Sequence, residues 1–164
     1  MKRTFLFLVA LMVVSVPVFA GSQTANVSVT ASVAASCTIA TLPVAFGAYD
    51  PVSANAATDL LGAGTLTVAC TKGATTAIDL GQGTNYLAPA RRMTAGAAAF
   101  LNYALYKDAA RTQVWGSAMA GGTTYSYNSA SRNSVAITVY GTVPQAQDVT
   151  TGSYADTVVA TINY

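Results

Sequence analysis

Apolar and polar side chains alternate without interruption over residues 25–33. This period of two is that of a β-strand with one buried face and one solvated face. A strand so near the start of a chain can complete its own domain or insert into a neighbouring molecule, and insertion would make the chain a polymer subunit. The apolar face consists of Ala25, Val27, Val29, Ala31 and Val33, and the polar face of Asn26, Ser28, Thr30 and Ser32.

The same alternation recurs along the rest of the chain in short segments separated by turn residues. We predict about seven or eight strands and no long amphipathic helix, a pattern typical of an all-β sandwich. A loop is expected over residues 47–64, with one helical turn near 56–61, and Gly81-Gln82-Gly83 is expected to be a hairpin turn. The predicted strands are 38–46, 65–70, 75–80, 100–107, 123–127, 134–143 and 155–164, with a short edge piece at 114–116. In 65–70 the alternation places Leu66, Val68 and Cys70 on one face, and in 100–107 it places Leu101, Tyr103 and Leu105 on one face.

Residues 1–20 have the layout of a secretory signal peptide. Lys2 and Arg3 form the basic start, residues 5–14 form the apolar segment, and cleavage is expected after Ala20. A membrane anchor is the alternative, but the apolar run is short for the roughly 20 residues that cross a bilayer. We therefore expect an exported chain with no membrane segment after cleavage.

The charge balance points to association rather than to a charged partner. The chain has eight Lys and Arg, six acidic residues that are all Asp, and no His, so removing Lys2 and Arg3 leaves six basic against six acidic residues. Charged residues are 9% of the sequence, against about 25% in a typical soluble domain. A neutral, weakly charged chain favours self-association, and the lack of a basic patch argues against a nucleic-acid partner.

Cys37 and Cys70 are the only cysteines in the chain. Export places them in an oxidising compartment, where an isolated pair is expected to form one disulfide. A redox or metal site is the alternative, but there is no Cys-x-x-Cys pair and no His to complete a ligand set. We expect a structural bridge.

Motifs for catalysis are scarce. Without His or Glu, the candidates for a general base are reduced to Asp and Lys. The sequence has no Gly-x-Ser-x-Gly or Ser-x-x-Lys motif, no dinucleotide loop and no calcium-loop spacing among its aspartates. We predict that the chain is not an enzyme and has no catalytic residue, cofactor or metal.

Two pairs of residues invite a surface role. Arg91 and Arg92 lie in a Pro-containing connection, and we favour a solvated loop pair over a site for an acidic partner. Tyr125 and Tyr127 have strand spacing, and we favour core or cross-strand packing over a stripe that binds sugars or surfaces.

Several segments, taken in order along nearly the whole mature chain, resemble the spore coat protein U domain family. This family also contains the major subunits of archaic chaperone–usher pili. The segments that carry the resemblance are Ser36-Cys37-Thr38, Phe46-Gly47-Ala48-Tyr49, Leu66-Thr67-Val68-Ala69-Cys70, Leu101-Asn102-Tyr103-Ala104-Leu105-Tyr106, Val114-Trp115-Gly116 and Gly152-Ser153-Tyr154-Ala155-Asp156-Thr157-Val158.

The resemblance implies an incomplete immunoglobulin-like β-sandwich that is completed by a donated N-terminal strand. Residues 21–35 would be the donor strand, residues 36–164 the sandwich domain, and the family's cysteine pair would map to Cys37 and Cys70. A periplasmic chaperone would hold the groove open, with Tyr164 at the end of the last strand as its contact. An outer-membrane usher would then export identical or related subunits into a cell-surface pilus for attachment and biofilm formation.

Two other interpretations stay open. One is a secreted spore-coat or matrix protein of the same fold that does not form pili, and the other is a secreted enzyme or carbohydrate-binding domain. Among pilus subunits, a shaft subunit is favoured over a tip adhesin, because the chain has no room for a second binding domain.

Overall fold

The computed structural model describes residues 17–96 and 98–164. The chain divides into two units, Met1–Ser32 and Val33–Tyr164. In the first unit, residues 17–32 are exposed and have no assigned strand or helix. The predicted signal peptide falls largely on residues 1–16, outside the described residues.

The second unit consists of short β-strands, and no helix is assigned within the described ranges. The all-β class predicted from the sequence is therefore confirmed. The strands are β1 (Cys37–Ala45), β2 (Leu60–Cys70), β3 (Thr75–Leu80), β4 (Arg91–Thr94), β5 (Phe100–Tyr106), β6 (Tyr125–Asn128), β7 (Val135–Val143) and β8 (Ala160–Asn163).

The strands pair in two antiparallel sheets, as in an immunoglobulin-like sandwich. The larger sheet has the order β1-β2-β7-β5-β4 and the smaller sheet has the order β6-β3-β8. Strands β2 and β7 pair from Leu60 opposite Val143 to Val68 opposite Val135. Strands β1 and β8 are terminal in their sheets, so one edge of each has no strand partner within the described part of the chain.

The hydrophobic core lies on the inward faces of the sheets because buried and exposed positions alternate along each strand. Leu66 and Val68 of β2 have no accessible surface, and Leu101, Tyr103 and Leu105 of β5 are buried on one face as predicted. The sequence thus placed the inward faces of both strands correctly.

Trp115 lies within this core, and the short edge piece predicted at 114–116 pairs only through isolated β-bridges. Its side chain is fully buried, and its ring stacks on Tyr125 with centroids 5.2 Å apart. The indole Nε1 donates a 3.0 Å hydrogen bond to the carbonyl oxygen of Ile78. The backbone here makes isolated bridges to Tyr106 and Thr123, and these long-range partners bring the ring inward.

Two predicted turns also differ from the structure. Residues 51–58 form turns and bends, and β2 already begins at Leu60, where it pairs with β7, so the helical turn at 56–61 is wrong. Gly81-Gln82-Gly83 does not close a hairpin, because the flanking strands β3 and β4 belong to different sheets. This segment instead begins the crossing between the sheets.

Cys37 and Cys70 are joined by a disulfide, as the sequence predicted. They are direct partners in the ladder between β1 and β2, with Cα atoms 4.1 Å apart. Ser36 continues the pairing outward, since its carbonyl accepts a 2.9 Å hydrogen bond from the N–H of Thr71. The disulfide therefore fixes the beginning of the edge strand β1 to its neighbour β2.

We expect the double variant Cys37→Ala, Cys70→Ala to lose about 3 to 4 kcal/mol of unfolding free energy, because the unfolded chain regains the freedom of the closed loop. Urea unfolding followed by the fluorescence of the single Trp measures this loss. Wild-type protein treated with a thiol reductant is the matched control and should unfold at the same midpoint as the variant. Equal midpoints for the oxidised and reduced wild type would contradict the expectation.

Candidate functional site

An open groove lies over the inner face of the larger sheet. One rim is formed by β1 and the residues after it, and the other by residues 149–160, which lead into β8. Residues 41–44 lie across from 154–160, and residues 44–49 lie across from 149–154. The two rims therefore run in opposite directions, and a strand placed between them would be antiparallel to one and parallel to the other.

The groove contains two adjoining cavities of about 810 Å³ and about 510 Å³. Their floors are the inward-facing apolar side chains of the larger sheet, and most of these are themselves buried, so the groove lies directly over the hydrophobic core. The larger cavity is floored by Leu60, Leu101 and Val143, the smaller by Leu66, Tyr103, Leu105 and Val139, and three residues, Val44, Met93 and Tyr154, line both.

Three glycines seat the β1 rim on the sheet beneath it. A Cβ added to Gly62 or Gly141 would lie 2.7 Å or 2.6 Å from the ring of Phe46, and one added to Gly64 would lie 2.7 Å from Val44 Cγ2. Such distances leave no space for any other residue type without movement of the rim. Val44 and Phe46 therefore rest on bare backbone and have no room to move inward.

Asp156 fixes the opposite rim. Its Oδ2 accepts a 2.6 Å hydrogen bond from the hydroxyl of Tyr103, and its Oδ1 accepts bonds of 3.0 Å and 3.2 Å from the backbone N–H groups of Thr84 and Asn85. Burial, followed by the hydrogen bond to Asp156, raises the pKa of Tyr103. The phenol therefore stays protonated and continues to donate to Asp156 at physiological pH.

The neighbours of Asp156 are also held in place. The hydroxyl of Tyr154 donates a 2.8 Å hydrogen bond to the carbonyl of Thr150, and Ala155 and Thr94 exchange two backbone hydrogen bonds of 2.9 Å and 3.0 Å. The predicted strand 155–164 was too long, because only Ala160–Asn163 pairs regularly, as β8. The residues before β8 form the rim, where Ala155 bridges to β4 instead.

Arg91 is fully buried, so neither a solvated loop nor an acidic partner accounts for it. It begins β4, and its guanidinium points inward. Nε donates to the carbonyl of Gly81 at 2.9 Å, and Nη2 donates to the carbonyls of Leu80, Gly81 and Trp115 at 2.7, 2.7 and 2.9 Å. Burial lowers the pKa of Arg91, an effect that nearby acidic groups oppose. The side chain ties β4 to the end of β3 and to the Trp115 segment.

Arg92 is half-buried on the other face of β4. Its guanidinium carbon lies 4.0 Å from the ring centroid of Phe100, and its Nε donates a 2.9 Å hydrogen bond to the carbonyl of Asn85. These contacts give Arg92 a packing role as well. The predicted loop pair is therefore part of the sheet.

Tyr125 and Tyr127 pack against the core as partly buried side chains. This agrees with the packing interpretation that the sequence favoured. Tyr125 stacks on Trp115, and the carbonyl of Tyr127 accepts a 3.1 Å hydrogen bond from Thr76 Oγ1.

The candidate donor residues are presented to solvent. Val27, Val29 and Val33 are 85%, 88% and 84% exposed, and residues 25–33 have no strand assignment. Tyr164, which follows β8, is also exposed. Their roles as donor strand and chaperone contact stay predictions.

Within residues 17–96 and 98–164, no cluster of three potential metal-binding side chains from His, Cys, Asp or Glu is found. No helix in the described part of the chain has the length and apolar character to cross a membrane.

The described residues thus form an all-β sandwich with an apolar groove between the rim at β1 and the rim that leads into β8. A family model described as "Spore Coat Protein U domain" matches residues 23–161, and the chain belongs to this family. "Protein U" of Myxococcus xanthus is 40% identical over 161 residues, which cover 90% of this chain and 88% of that protein.

The fold is similar to that of a chain in the "Crystal structure of CsuC-CsuE chaperone-tip adhesion subunit pre-assembly complex from archaic chaperone-usher Csu pili of Acinetobacter baumannii", with a TM-score of 0.54 and 20% identity. The match covers 80% of this chain and 40% of that chain, so the present protein spans less than half the length of its structural neighbour. The similarity confirms the predicted fold class.

We expect Arg91→Met to lower the unfolding free energy by about 2 to 4 kcal/mol, because it removes the donor to three carbonyl groups, of Leu80, Gly81 and Trp115, whose bonds to Arg91 are buried or partly buried. Arg91→Lys should also be destabilising, since an ammonium group lacks the planar fork that reaches several carbonyls at once. The exposed Arg132 provides the control, because Arg132→Met should change stability by no more than about 0.5 kcal/mol. Urea midpoints that are the same for the Met variants at 91 and 132 would refute the structural role of Arg91.

Proposed function

We propose that this chain is an exported structural subunit that polymerises by donor-strand exchange. Residues 1–20 are the cleaved signal, residues 21–35 carry the donor strand, and residues 36–164 form the acceptor domain. The observation that carries the proposal is the apolar groove over the core, which lies beside the edges of β1 and β8 that have no strand partner in the described part of the chain. Residues 22–35 of a second copy are its occupant.

The groove supplies what an incoming strand needs. The edge of a sheet offers unpaired N–H and C=O groups, and an added strand gains affinity from them. One face of the 25–33 segment is apolar and matches the apolar floor, and its other face carries hydroxyl and amide side chains that remain in water. The segment and the groove therefore complement each other in both polarity and hydrogen bonding.

The chain immediately before β1 favours donation to a second copy over insertion into its own groove. A return into the chain's own groove requires a reversal between Val33 and Cys37, but Ala34-Ala35-Ser36 contains no Gly, Asn, Asp or Pro, and Ser36 is its one residue of a type that favours turns. Ser36 is instead hydrogen-bonded to Thr71, both through its carbonyl at 2.9 Å and through its N–H at 3.1 Å to Thr71 Oγ1. The residues immediately before β1 thus continue along the line of the strand and do not turn back.

Repeated donation produces a filament, because a head-to-tail contact between a segment and a groove elsewhere on the molecule need not close into a ring. Burying the apolar face of the donor contributes roughly 5 to 10 kcal/mol before the cost of ordering the strand. A link of that strength is long-lived, which suits a shaft subunit.

A filament of this kind needs partners during export. An uncovered apolar groove with free edges is a site for aggregation, so we propose that a periplasmic chaperone occupies it until assembly and that an outer-membrane usher exports the subunits. The family match and the fold shared with a chain of a chaperone–subunit complex support these partners. The product is a cell-surface pilus that serves attachment and biofilm formation and has no enzymatic activity.

A second candidate is a coat or matrix protein of the same fold. It is favoured by the family's description and by the 40% identity to "Protein U". Electron microscopy of the producing cells with and without the gene separates the pilus subunit from the coat protein. Filaments that are present on cells with the gene and absent from cells without it would identify a pilus subunit. A surface layer without filaments would favour the coat.

We expect Val29→Asp to abolish the multimers of the mature chain that resist unheated detergent gels. The substitution places a charge in an apolar groove at a cost of several kcal/mol unless the carboxyl is neutralised. Ser28→Asp is the matched control and should leave the multimers intact, because this side chain points to solvent in the inserted strand. The readout is the ladder of multimers on the gel.

The alternative is that residues 25–33 are simply the first strand of a self-contained domain. In that case Val29→Asp would lower the urea midpoint of the monomer, and deleting residues 22–35 would unfold it. Donor-strand exchange instead requires that the deleted chain still folds and captures a synthetic peptide of residues 22–35. Failure of the wild-type peptide to bind would refute the proposal.

We further propose that Tyr164 contacts the chaperone. It follows β8 beside the open edge and is exposed. A short Gly-Ser extension after Tyr164 should lower the periplasmic amount of subunit and its co-purification with the chaperone, because it displaces the contact. The same Gly-Ser segment inserted after the exposed Arg132 is the control, and equal chaperone co-purification of both chains would rule the contact out.

A further inference from the structure

We propose that successive subunits also meet through opposite charges outside the groove, with a basic end of the donating domain docked on an acidic end of the accepting domain. The basic end carries Lys72 and Arg132, and the acidic end carries Asp50, Asp59 and Asp148. The inference rests on the proposed function and adds to it a second contact between copies of the chain.

The basic end lies where the donor segment joins the sandwich. The turn between β2 and β3 carries Lys72, the turn between β6 and β7 carries Arg132, and both side chains are exposed. A 2.8 Å hydrogen bond from the N–H of Gly73 to the carbonyl of Ser129 joins the two turns. With Ser36, the two basic side chains line an open cavity of about 650 Å³, and none of the described residues that line it is acidic. Two cations thus flank the point at which the donor segment leaves its domain.

The acidic end lies at the other end of the strands. The loops 46–59 and 144–151 contain three Asp and no Lys or Arg, and the three Asp side chains are exposed. The loops lie together, since the N–H of Ala146 donates a 2.8 Å hydrogen bond to the carbonyl of Asn55. Strand β2 joins the two ends with 11 residues, so the ends are on the order of 30 Å apart. The opposite charges of one domain are therefore too distant to pair with each other.

Donor-strand exchange brings the basic end of one subunit close to the groove of the next. Four peptide steps separate Val33 from Cys37, so the start of β1 in the donating domain lies within about 14 Å of a seated Val33. Strand β1 runs from the basic end to the acidic end, so a donor parallel to β1 leaves the groove at the acceptor's acidic end. A donor in the other direction would bring two basic ends together. Charge therefore favours the parallel direction, in which Lys72 and Arg132 face three carboxylates.

This contact acts between folded domains and not on the inserted strand. Residues 22–35 are uncharged, so an isolated donor peptide lacks the attraction that a complete subunit has. Exposed ion pairs contribute little to stability, but complementary charged surfaces raise the rate at which two proteins meet. The two ends therefore act on the rate and the direction of assembly.

The test compares two donors for one acceptor. The acceptor is the full mature chain with Val29→Asp, which keeps its groove but does not donate. One donor is a fluorescent synthetic peptide of residues 22–35, and the other is the full mature chain, labelled, with its own groove filled by an excess of unlabelled peptide. The rate at which the labelled complex appears on unheated detergent gels is measured at about 20 mM salt, where charges are weakly screened.

We expect Asp148→Lys in the acceptor to slow capture of the full-chain donor about three- to tenfold and to leave capture of the peptide unchanged. Asp148 is the residue to reverse, because Asp50 and Asp59 also accept hydrogen bonds from backbone N–H groups of their loops. Lys72→Asp in the full-chain donor should slow capture by a similar factor, and Asp148→Lys should then add no further loss. These differences should vanish at about 1 M salt.

The outcomes separate this inference from the proposed function. If neither donor is captured, donor-strand exchange itself is wrong. If both are captured and Asp148→Lys slows neither, exchange stands and the ionic contact is wrong. Equal slowing of the peptide and the full chain would also overturn the contact, because the peptide carries no basic end.

Cross-linking of wild-type multimers gives an independent check. A carbodiimide joins an amine directly to a carboxylate, and the lysines expected after signal cleavage are Lys72 and Lys107. We expect Lys72 of one chain to be linked to an acidic-end carboxylate of another, with Lys107 as the internal control. Links between chains that involve Lys107 but not Lys72 would contradict the proposed contact.

Discussion

Within the described residues, no strand pairs with the outer edges of β1 and β8, and the arrangement of the groove between them follows from this gap. Rims beside an unfilled space lack the packing that normally fixes a strand, so they are held by other means. The disulfide secures the beginning of β1, and Asp156 secures the opposite rim through four hydrogen bonds from Tyr103, Thr84 and Asn85. An open groove can thus persist without the strand that would complete it.

Polar groups inside the domain support the same geometry. Arg91 is costly to bury, yet its guanidinium joins carbonyl groups from the end of β3 and the Trp115 segment to β4. Arg91 is the first residue of β4. The same strand places Met93 in the groove, and its Thr94 pairs with Ala155 of the rim. Arg91 therefore supports the groove through β4, because this strand holds Met93 in the groove lining and Ala155 in the rim. A hydrophobic residue in place of Arg91 would fill the space, but it would leave the segment that crosses between the sheets without these hydrogen bonds.

Local alternation predicted much of this fold, and long-range contacts explain what it missed. The prediction for residues 75–80 coincides with β3, and the inward face of β5 and the disulfide were also correct. The burial of Arg91 and Trp115 was not predicted, because carbonyl groups distant in sequence determine the positions of these side chains. Arg91 lies two residues before the half-buried Met93, and residues two apart share one face of a strand. This spacing was the available signal that Arg91 points inward. The donor segment could be predicted from the sequence because its alternation is a local pattern. Its groove is assembled from residues distant in sequence, and Val44, Tyr154 and Asp156 belong to no motif that would have identified them.

Neither edge of the groove is protected by charge. Natural proteins often place Lys or other charged residues on exposed edge strands to prevent unwanted pairing, but β1 and β8 contain no charged residue. The 25–33 segment is uncharged as well, and the mature chain expected after signal cleavage is neutral. Asp156 on the opposite rim is charged, but its carboxylate is already bonded to Tyr103, Thr84 and Asn85, so electrostatic steering contributes little to the choice of the strand that enters. Selection therefore has to rest mainly on the shape of the groove and on its prior occupation by a partner.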